Sequence, residues 1–356
     1  MVCWLVLGFL VFYAKGLHAK LGEQCLTPNK GTGVCQALKS CSILYDAIAS
    51  ENGPDPVQIQ FIRESFCDYD GSSYAVCCGD TANFTSSLLP DRSTCGIQSA
   101  NRIIGGETTD MDEFPWMVRL KYFRSDNSTV FACGGSLISN RYVLTAAHCV
   151  SKPILAVREI TLGGVRLGEW FTGTNPDCSA IISTECNDPY VDVNVEEAIA
   201  HPKFDNSNLN DIALIRMAEE VKFTDYIKPI CIPLLSEIPN VGTLLTVSGW
   251  GQTETELDSK YKLKVSVPLV PRSRCSQIFH FNLQFTQICA GGLKEKDSCR
   301  GDSGGPLMGT VKTDSSQWLV LGIVSFGSFP CGLENRPGVY TSVASYYNWI
   351  SSTLRL

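Results

Sequence analysis

Ser303 stands in Gly301-Asp302-Ser303-Gly304-Gly305, a G-x-S-x-G pattern that can present a hydroxyl as a nucleophile. A serine hydroxyl attacks only when a neighbouring base takes its proton, so the histidines decide which arrangement is in play. Past residue 19 the chain carries His148, His201 and His280, all ahead of Ser303. The strand-to-helix elbow that shares this pattern runs serine, acid, histidine, and it lacks its base here because no histidine follows Ser303. An order with the acid ahead of the histidine belongs to a fold of alternating helices and parallel strands, whereas this region reads as β throughout. The order that remains is histidine, aspartate, serine.

The elements that must position these groups are short β-rich runs from Ile103 onward: WMVRLKYF, SLISNRYVLTA, TLLTVSGW, KVSVPLV and WLVLGIVSF, separated by Gly, Pro, Asn and Asp clusters. They predict an all-β sandwich or barrel. Only the C-terminus reads as helical, with Val343, Tyr347, Ile350 and Leu354 on one apolar face. His148 closes an apolar run in Thr145-Ala146-Ala147-His148-Cys149, with Cys133 sixteen residues upstream, close enough for a small disulfide loop. Asn210-Asp211-Ile212-Ala213-Leu214 puts a carboxylate at the head of an apolar strand, where it can be buried against an imidazole. His201 and His280 read as surface or core histidines.

Together TAAHC, DIAL and GDSGGP resemble the trypsin-like serine proteases of the chymotrypsin family, over Ile103 to Leu356. The resemblance implies a two-barrel fold with a C-terminal helix. It also implies Ser303 as nucleophile, His148 as general acid and base, Asp211 as the group that fixes the imidazole tautomer, and the N–H groups of Gly301 and Ser303 as the oxyanion hole. Asp297, six residues before Ser303, matches the base of the family's specificity pocket and implies cleavage after Arg or Lys, with Ser298 beside it and Gly327 and Gly338 on the walls. Phe326 departs from the tryptophan of many members and reshapes the neighbouring apolar subsite. Asn101-Arg102-Ile103-Ile104-Gly105-Gly106 resembles the activation site, where cleavage at Arg102–Ile103 frees an ammonium for Asp302. The family pattern suggests bridges Cys133–Cys149, Cys275–Cys289, Cys299–Cys331 and Cys95–Cys231, leaving Cys178 and Cys186 to close an inserted loop.

That loop resembles the calcium loop of some arthropod relatives. Glu169 and Asp177 would supply carboxylates and Phe171 and Thr174 carbonyls, a hard oxygen set suited to Ca²⁺, although two carboxylates are few for an ion that takes about 6–8 oxygens. No organic cofactor is implied.

The rest of the chain is organised by its cysteines. Residues 2–13 form an apolar run of signal-peptide length, with cleavage expected after Gly16 or Ala19, so residues 1–19 read as a secretory signal. Its removal takes Cys3 and leaves 16 of the 17 cysteines, up to eight disulfides in an oxidising compartment. Zinc is disfavoured because no C-x-x-C pair occurs. Six cysteines (Cys25, Cys35, Cys41, Cys67, Cys77, Cys78) fall within residues 25–78 and read as a stapled small domain. Adjacent Cys77 and Cys78 would need a strained ring to bond each other and should reach different partners. Residues 79–94 are a polar linker, continuing through the activation segment to 102, ahead of the protease region 103–356. Asn83 and Asn127 head N-x-[ST] glycosylation sequons.

The 25–78 segment is similar to the clip domain of arthropod serine proteases. Clip, linker and trypsin-like domain together imply a secreted hemolymph zymogen of innate immunity. Its implied partners are protein substrates (cascade zymogens, prophenoloxidase or a cytokine precursor), an upstream activating protease and serpin-type inhibitors. The second reading is a secreted clip-bearing binding protein with little catalysis. A net charge of −7 without a dense Lys/Arg cluster argues against nucleic acid as partner, and nothing in the resemblance implies a membrane.

Overall fold

The structure, a computed structural model, describes residues 19–28, 31–49, 56–69, 73–79, 88–98, 108–179, 185–205, 208–253, 255–311 and 314–355. The apolar N-terminal run, Asn83, Arg102 and Ile103 lie outside the described residues. The chain divides into two units, Met1–Ser87 and Leu88–Leu356.

In the first unit β1 (Gln24–Leu26), β2 (Thr32–Ala37), β3 (Phe66–Tyr69) and β4 (Tyr74–Gly79) form an antiparallel sheet in the order β1-β2-β4-β3. Helices α1 (Ser42–Ala49) and α2 (Pro56–Glu64) lie between β2 and β3 in the chain. Successive residues of a strand face opposite sides of its sheet. Cys77 and Cys78 of β4 accordingly bond different partners, Cys25 and Cys41, while Cys35 bonds Cys67. Leu44, Phe61 and Val76 are among the few buried apolar side chains beside these cysteines, so a core of this size depends on its staples.

The second unit holds two closed six-stranded barrels. The first runs β10-β7-β6-β5-β8-β9, built from β5 (Met117–Arg124), β6 (Thr129–Leu137), β7 (Tyr142–Thr145), β8 (Ile160–Leu167), β9 (Val191–Ala200) and β10 (Ala213–Met217). The second runs β11-β12-β13-β16-β15-β14, from β11 (Leu244–Gly249), β12 (Leu263–Val270), β13 (Gln287–Gly291), β14 (Pro306–Val311), β15 (Asp314–Phe326) and β16 (Pro337–Ser342). Alternation builds them: Val118, Leu120 and Tyr122 of β5 are fully buried, with Arg119 and Lys121 on the other face.

The barrels share a core in which Trp116 donates its indole N–H to the Met308 sulfur at 3.0 Å and the rings of Phe114 and Trp318 meet edge to face. The C-terminal apolar face forms as a 3-10 turn (Val343–Tyr346) followed by a short helix, Tyr347–Thr353. Val343, Ile350 and Leu354 are buried there, each contributing about 1.5–3 kcal/mol.

Two further helices of this unit are too short to show a sustained apolar period. They are α3 (Lys152–Val157) and α4 (Arg272–Phe279). The second is anchored by its single buried residue, Cys275, bonded to Cys289 of β13. With them introduced, the helix Tyr347–Thr353 is α5. The remaining disulfides are Cys95–Cys231, Cys133–Cys149, Cys178–Cys186 and Cys299–Cys331. No helix among the described residues is long and apolar enough to cross a membrane.

Candidate active site

β7 and β10 are antiparallel neighbours with Ala213 opposite Thr145. The exit of one and the entry of the other therefore lie at the same end of the barrel. His148 sits just past β7 in the turn Ala147–Cys149, and Asp211 just before β10. They meet through two bonds: His148 Nδ1 lies 2.8 Å from Asp211 Oδ2, and the His148 backbone N–H donates to Oδ1 at 2.9 Å. Asp211 is buried, which by itself would raise its pKa. Hydrogen bonds from His148 and from the Ser325 hydroxyl, which donates to Oδ2 at 2.6 Å, outweigh that burial and hold the carboxyl below its usual range. Its own backbone is held too, since Thr341 Oγ1 donates to the Asp211 carbonyl at 2.8 Å. Asn210 occupies the left-handed region (φ 54°) and accepts from the Tyr346 hydroxyl at 3.0 Å.

Ser303 comes from the other barrel, three residues before β14. Its carbonyl accepts the Gly134 N–H from β6 at 2.8 Å, which ties the Ser303 segment to the barrel carrying His148. That approach needs a bare Gly304, with φ +80°, because a Cβ there would stand 2.2 Å from Thr145 Oγ1 and 2.6 Å from the Gly134 carbonyl. Gly301 adopts φ +98° in the same turn, which is closed by Asp302 N–H to Cys299 O and Gly305 N–H to Asp302 O. Among the described residues neither the Gly301 nor the Ser303 N–H donates to another group.

Beside this turn Gly327 and Gly338 are in contact, since a Cβ on Gly327 would lie 3.7 Å from the Gly338 Cα, and a Cβ on Gly338 would lie 3.7 Å from Asp297 Oδ1. Asp297 accepts from the Ser298 N–H at 2.9 Å and the Gly332 N–H at 3.4 Å. Burial pushes its pKa up to about 6, beyond what those bonds restore. Ser298 Oγ and the Tyr340 hydroxyl are 3.2 Å apart. Phe326 packs with the rings of Phe279 and Phe281.

Asp302 packs against Gly249 and Gly251. Its two oxygens accept the Gly251 N–H at 2.9 Å and the Cys299 N–H at 3.0 Å, in a cavity shared with Arg119, Phe131, Trp250 and Asp258. Enclosure pushes its pKa up to about 6 against those two bonds.

The inserted loop is a separate constellation. Glu169 and Asp177 are both buried. Asp177 braces the loop, taking the Thr174 hydroxyl at 2.6 Å and the Phe171 N–H at 2.9 Å, and it is held in turn by Asn187. Glu169 accepts from Arg166 on one oxygen, while the other, Oε1, is buried with no hydrogen-bond partner. The open buried oxygen offers one ligand to a hard cation, in an environment where Glu169 also feels the charges of Arg119, Arg166 and Asp177. His148 also lies close to Cys133 and Cys149, but both sulfurs are spent in their disulfide.

Ser325, Thr341 and Asn187 were not singled out in the sequence, although Ser325 stands in the same SFG as Phe326. His201 packs edge-on against Tyr346 and Trp349, and His280 ends α4 in the left-handed region. Asn127 lies exposed in the turn between β5 and β6.

Comparison with known proteins agrees with this geometry. Residues 103–350 match the trypsin family model, and residues 25–78 match the regulatory CLIP domain of proteinases. The chain is 41% identical to phenoloxidase-activating factor 3 of Holotrichia diomphalia, across 99% of this chain and 100% of that one. It is 38% identical to melanization protease 1 of Drosophila melanogaster, across 99% and 98%. Among solved structures, the Drosophila Grass clip serine protease of the Toll pathway superposes with a TM-score of 0.66 at 32% identity, covering 94% of this chain and 98% of that one. The chain belongs to the trypsin family and is a trypsin-like serine endopeptidase carrying an N-terminal CLIP domain.

Proposed function

We propose that the chain is a secreted zymogen whose processed form cuts proteins after Arg or Lys in a hemolymph cascade. The observation that carries the catalytic part is the doubly bonded His148–Asp211 pair beside the Ser303 turn. An ionised Asp211 keeps the proton on His148 Nδ1, so Nε2 is left to take the Ser303 proton as the hydroxyl attacks the scissile carbonyl. The Gly301 and Ser303 N–H groups receive the developing oxyanion, a contribution of about 3–4 kcal/mol per donor. His148 then returns the proton to the leaving amine, and water repeats the cycle to release the acyl group.

Specificity follows from Asp297. A carboxylate at the base of a glycine-walled slot is complementary to a long cationic side chain. Cleavage at Arg102–Ile103 would supply an ammonium to Asp302, whose cavity holds a carboxylate with only backbone donors on its oxygens. Cys95–Cys231 would keep the N-terminal piece attached.

Ca²⁺ would be held by Glu169 through its open oxygen, with Asp177 and the carbonyls of Phe171 and Thr174, and would stiffen the loop without entering the chemistry. The names of the similar proteins support an immune role, with prophenoloxidase, a downstream zymogen or a cytokine precursor as substrate. An upstream protease would serve as activator and a serpin as inhibitor.

A peptide library read with the chain cut at Arg102 tests this reading. Cleavage confined to Arg and Lys, lost in Asp297→Ser, is expected; an Arg preference that survives Asp297→Ser contradicts it.

A further inference from the structure

The hairpin of β5 and β6 closes at the pair Phe123 and Thr129, and its turn satisfies its own backbone groups. The Arg124 N–H donates to the Ser128 carbonyl at 2.9 Å, the Asn127 N–H to the Arg124 carbonyl at 2.9 Å, and the Ser128 N–H to Asp126 Oδ1 at 2.8 Å. Asn127 takes the left-handed region (φ 63°), which asparagine tolerates better than most residues. It is exposed and, among the described residues, its carboxamide forms no hydrogen bond. Thr129, two places on in the sequon Asn127-Ser128-Thr129, is exposed as well. An ordered turn therefore presents a free amide nitrogen to solvent.

We propose that Asn127 carries an N-linked oligosaccharide, and that this glycan filters by size what reaches Ser303 from the side of the first barrel. The inference rests on the reading of the chain as secreted, because the donor, an oligosaccharide on a polyprenyl pyrophosphate, belongs to that route. The Asn127 amide nitrogen forms a bond to C1 of the first sugar while the bond from C1 to the pyrophosphate oxygen breaks. The pyrophosphate lipid leaves with the electron pair, and the amide proton passes to a base of the transferase.

Distance sets what the glycan obstructs. β6 runs from Thr129 through Gly134, whose N–H meets the Ser303 carbonyl. Asn127 precedes Gly134 by seven residues, at most about 23 Å of extended strand. A protease–inhibitor contact covers about 800 Å² of each partner, a patch about 16 Å in radius if centred on Ser303. Asn127 thus stands within about 7 Å of the rim of such a patch. A small ester at Ser303 stays clear of a glycan rooted there. A folded protein overhangs its contact and meets the glycan, which is bulky and hydrated. The obstruction falls on the encounter with a folded partner and leaves bond-making at Ser303 as it was.

The test uses the full chain secreted from insect cells and cut at Arg102. Mapping should find the Asn127 peptide carrying sugar, and N-glycosidase should convert that residue to Asp. Thr129→Ala removes this sequon and keeps Asn127 in its turn, and Thr85→Ala removes that of Asn83 alone. One Arg-containing sequence is offered as a free peptide and again as an exposed loop of maltose-binding protein. Thr129→Ala should raise kcat/KM for the folded carrier by about three- to tenfold, with the free peptide and a small Arg ester unchanged. Thr85→Ala should alter none of the three. Glycosidase treatment of the folded wild-type chain should reproduce the Thr129→Ala ratio, which separates loss of sugar from any effect on folding. Secreted chain with a bare Asn127 overturns the inference and leaves secretion standing, whereas chain retained in the cell with Asn127 bare overturns both. A glycan on Asn127 whose removal leaves the carrier-to-peptide ratio unchanged overturns the filter.

Discussion

Asp211 receives His148 twice, through the ring Nδ1 at 2.8 Å and through the backbone N–H at 2.9 Å, so both the imidazole and the turn that carries it are oriented by one carboxylate. Ser325 adds a third bond at 2.6 Å. Asp211→Asn keeps the shape but reverses the hydrogen-bond sense, and kcat should fall by about 10⁴-fold.

Ser325→Ala removes one hydrogen bond to an ionised acceptor, a contribution of about 1.5–3 kcal/mol to folding. Because the bond is already made in the resting enzyme, kcat should fall by less than the roughly one to two orders of magnitude that this energy would give if confined to the transition state. The stability effect has a defined sign. Asp211 is held below its ordinary value of 3.8, so its contribution is present above that value and lost as pH falls through the lower folded one. Losing the Ser325 bond should reduce stability at neutral pH and move the acid transition upward. An acid transition at the wild-type position would show that Ser325 does not support this carboxylate.

Asp297 is raised to about 6 by burial, and only its ionised form attracts a cation. Benzamidine, a small amidinium, should bind the processed enzyme above pH about 6 and weaken about tenfold per unit below it. Calorimetry across that range reads this directly. Affinity independent of pH through this window would place the amidinium elsewhere.

Asp302 is likewise raised to about 6 in the uncut chain. A carboxyl raised on folding stabilises fully below the unfolded value of 3.8 and loses that contribution as pH rises through about 6. An ammonium supplied by cleavage should reverse the trend. The melting temperature of cut chain minus that of Arg102→Gln treated with the same protease should therefore widen as pH climbs through about 6. A gap that stays constant with pH, or an Arg102→Gln chain as active as cut wild type, argues against the switch.

For the inserted loop, Ca²⁺ should raise the melting temperature in proportion to ln(1 + [Ca²⁺]/Kd). Glu169→Gln should flatten that dependence, since it neutralises the carboxylate with the open oxygen. A calcium titration that leaves wild type unmoved would assign the loop's order to Asn187 and Cys178–Cys186 alone.

Much of this architecture was legible because it is written in local pattern. Alternation in WMVRLKYF names the buried face of β5 before any partner is known, and scarcity of histidine narrows the base to His148. What stayed hidden depends on which strands become neighbours. Ser325 lies 114 residues from Asp211, and nothing in its local sequence says that β15 will present it there. The pairing of Cys25 with Cys77 and of Cys41 with Cys78 follows from strand alternation only once β4 is placed in its sheet. Helix α4 shows only Cys275, Ile278 and Phe279 as apolar residues in its last turns, too short a run for periodicity to reveal, and it is held by the Cys275–Cys289 disulfide and by Phe279 packing on Phe326.

The central claim is that Ser303 becomes a nucleophile once the chain is cut. Labelling with an organophosphorus fluoride, followed by peptide mapping, tests it most directly. The chain cut at Arg102–Ile103 should take up one label per molecule, on the peptide holding Ser303, with hydrolysis of a small Arg ester lost in proportion; uncut chain and Ser303→Ala should take up almost none. Label on another residue, or ester hydrolysis that persists in Ser303→Ala, would contradict the account.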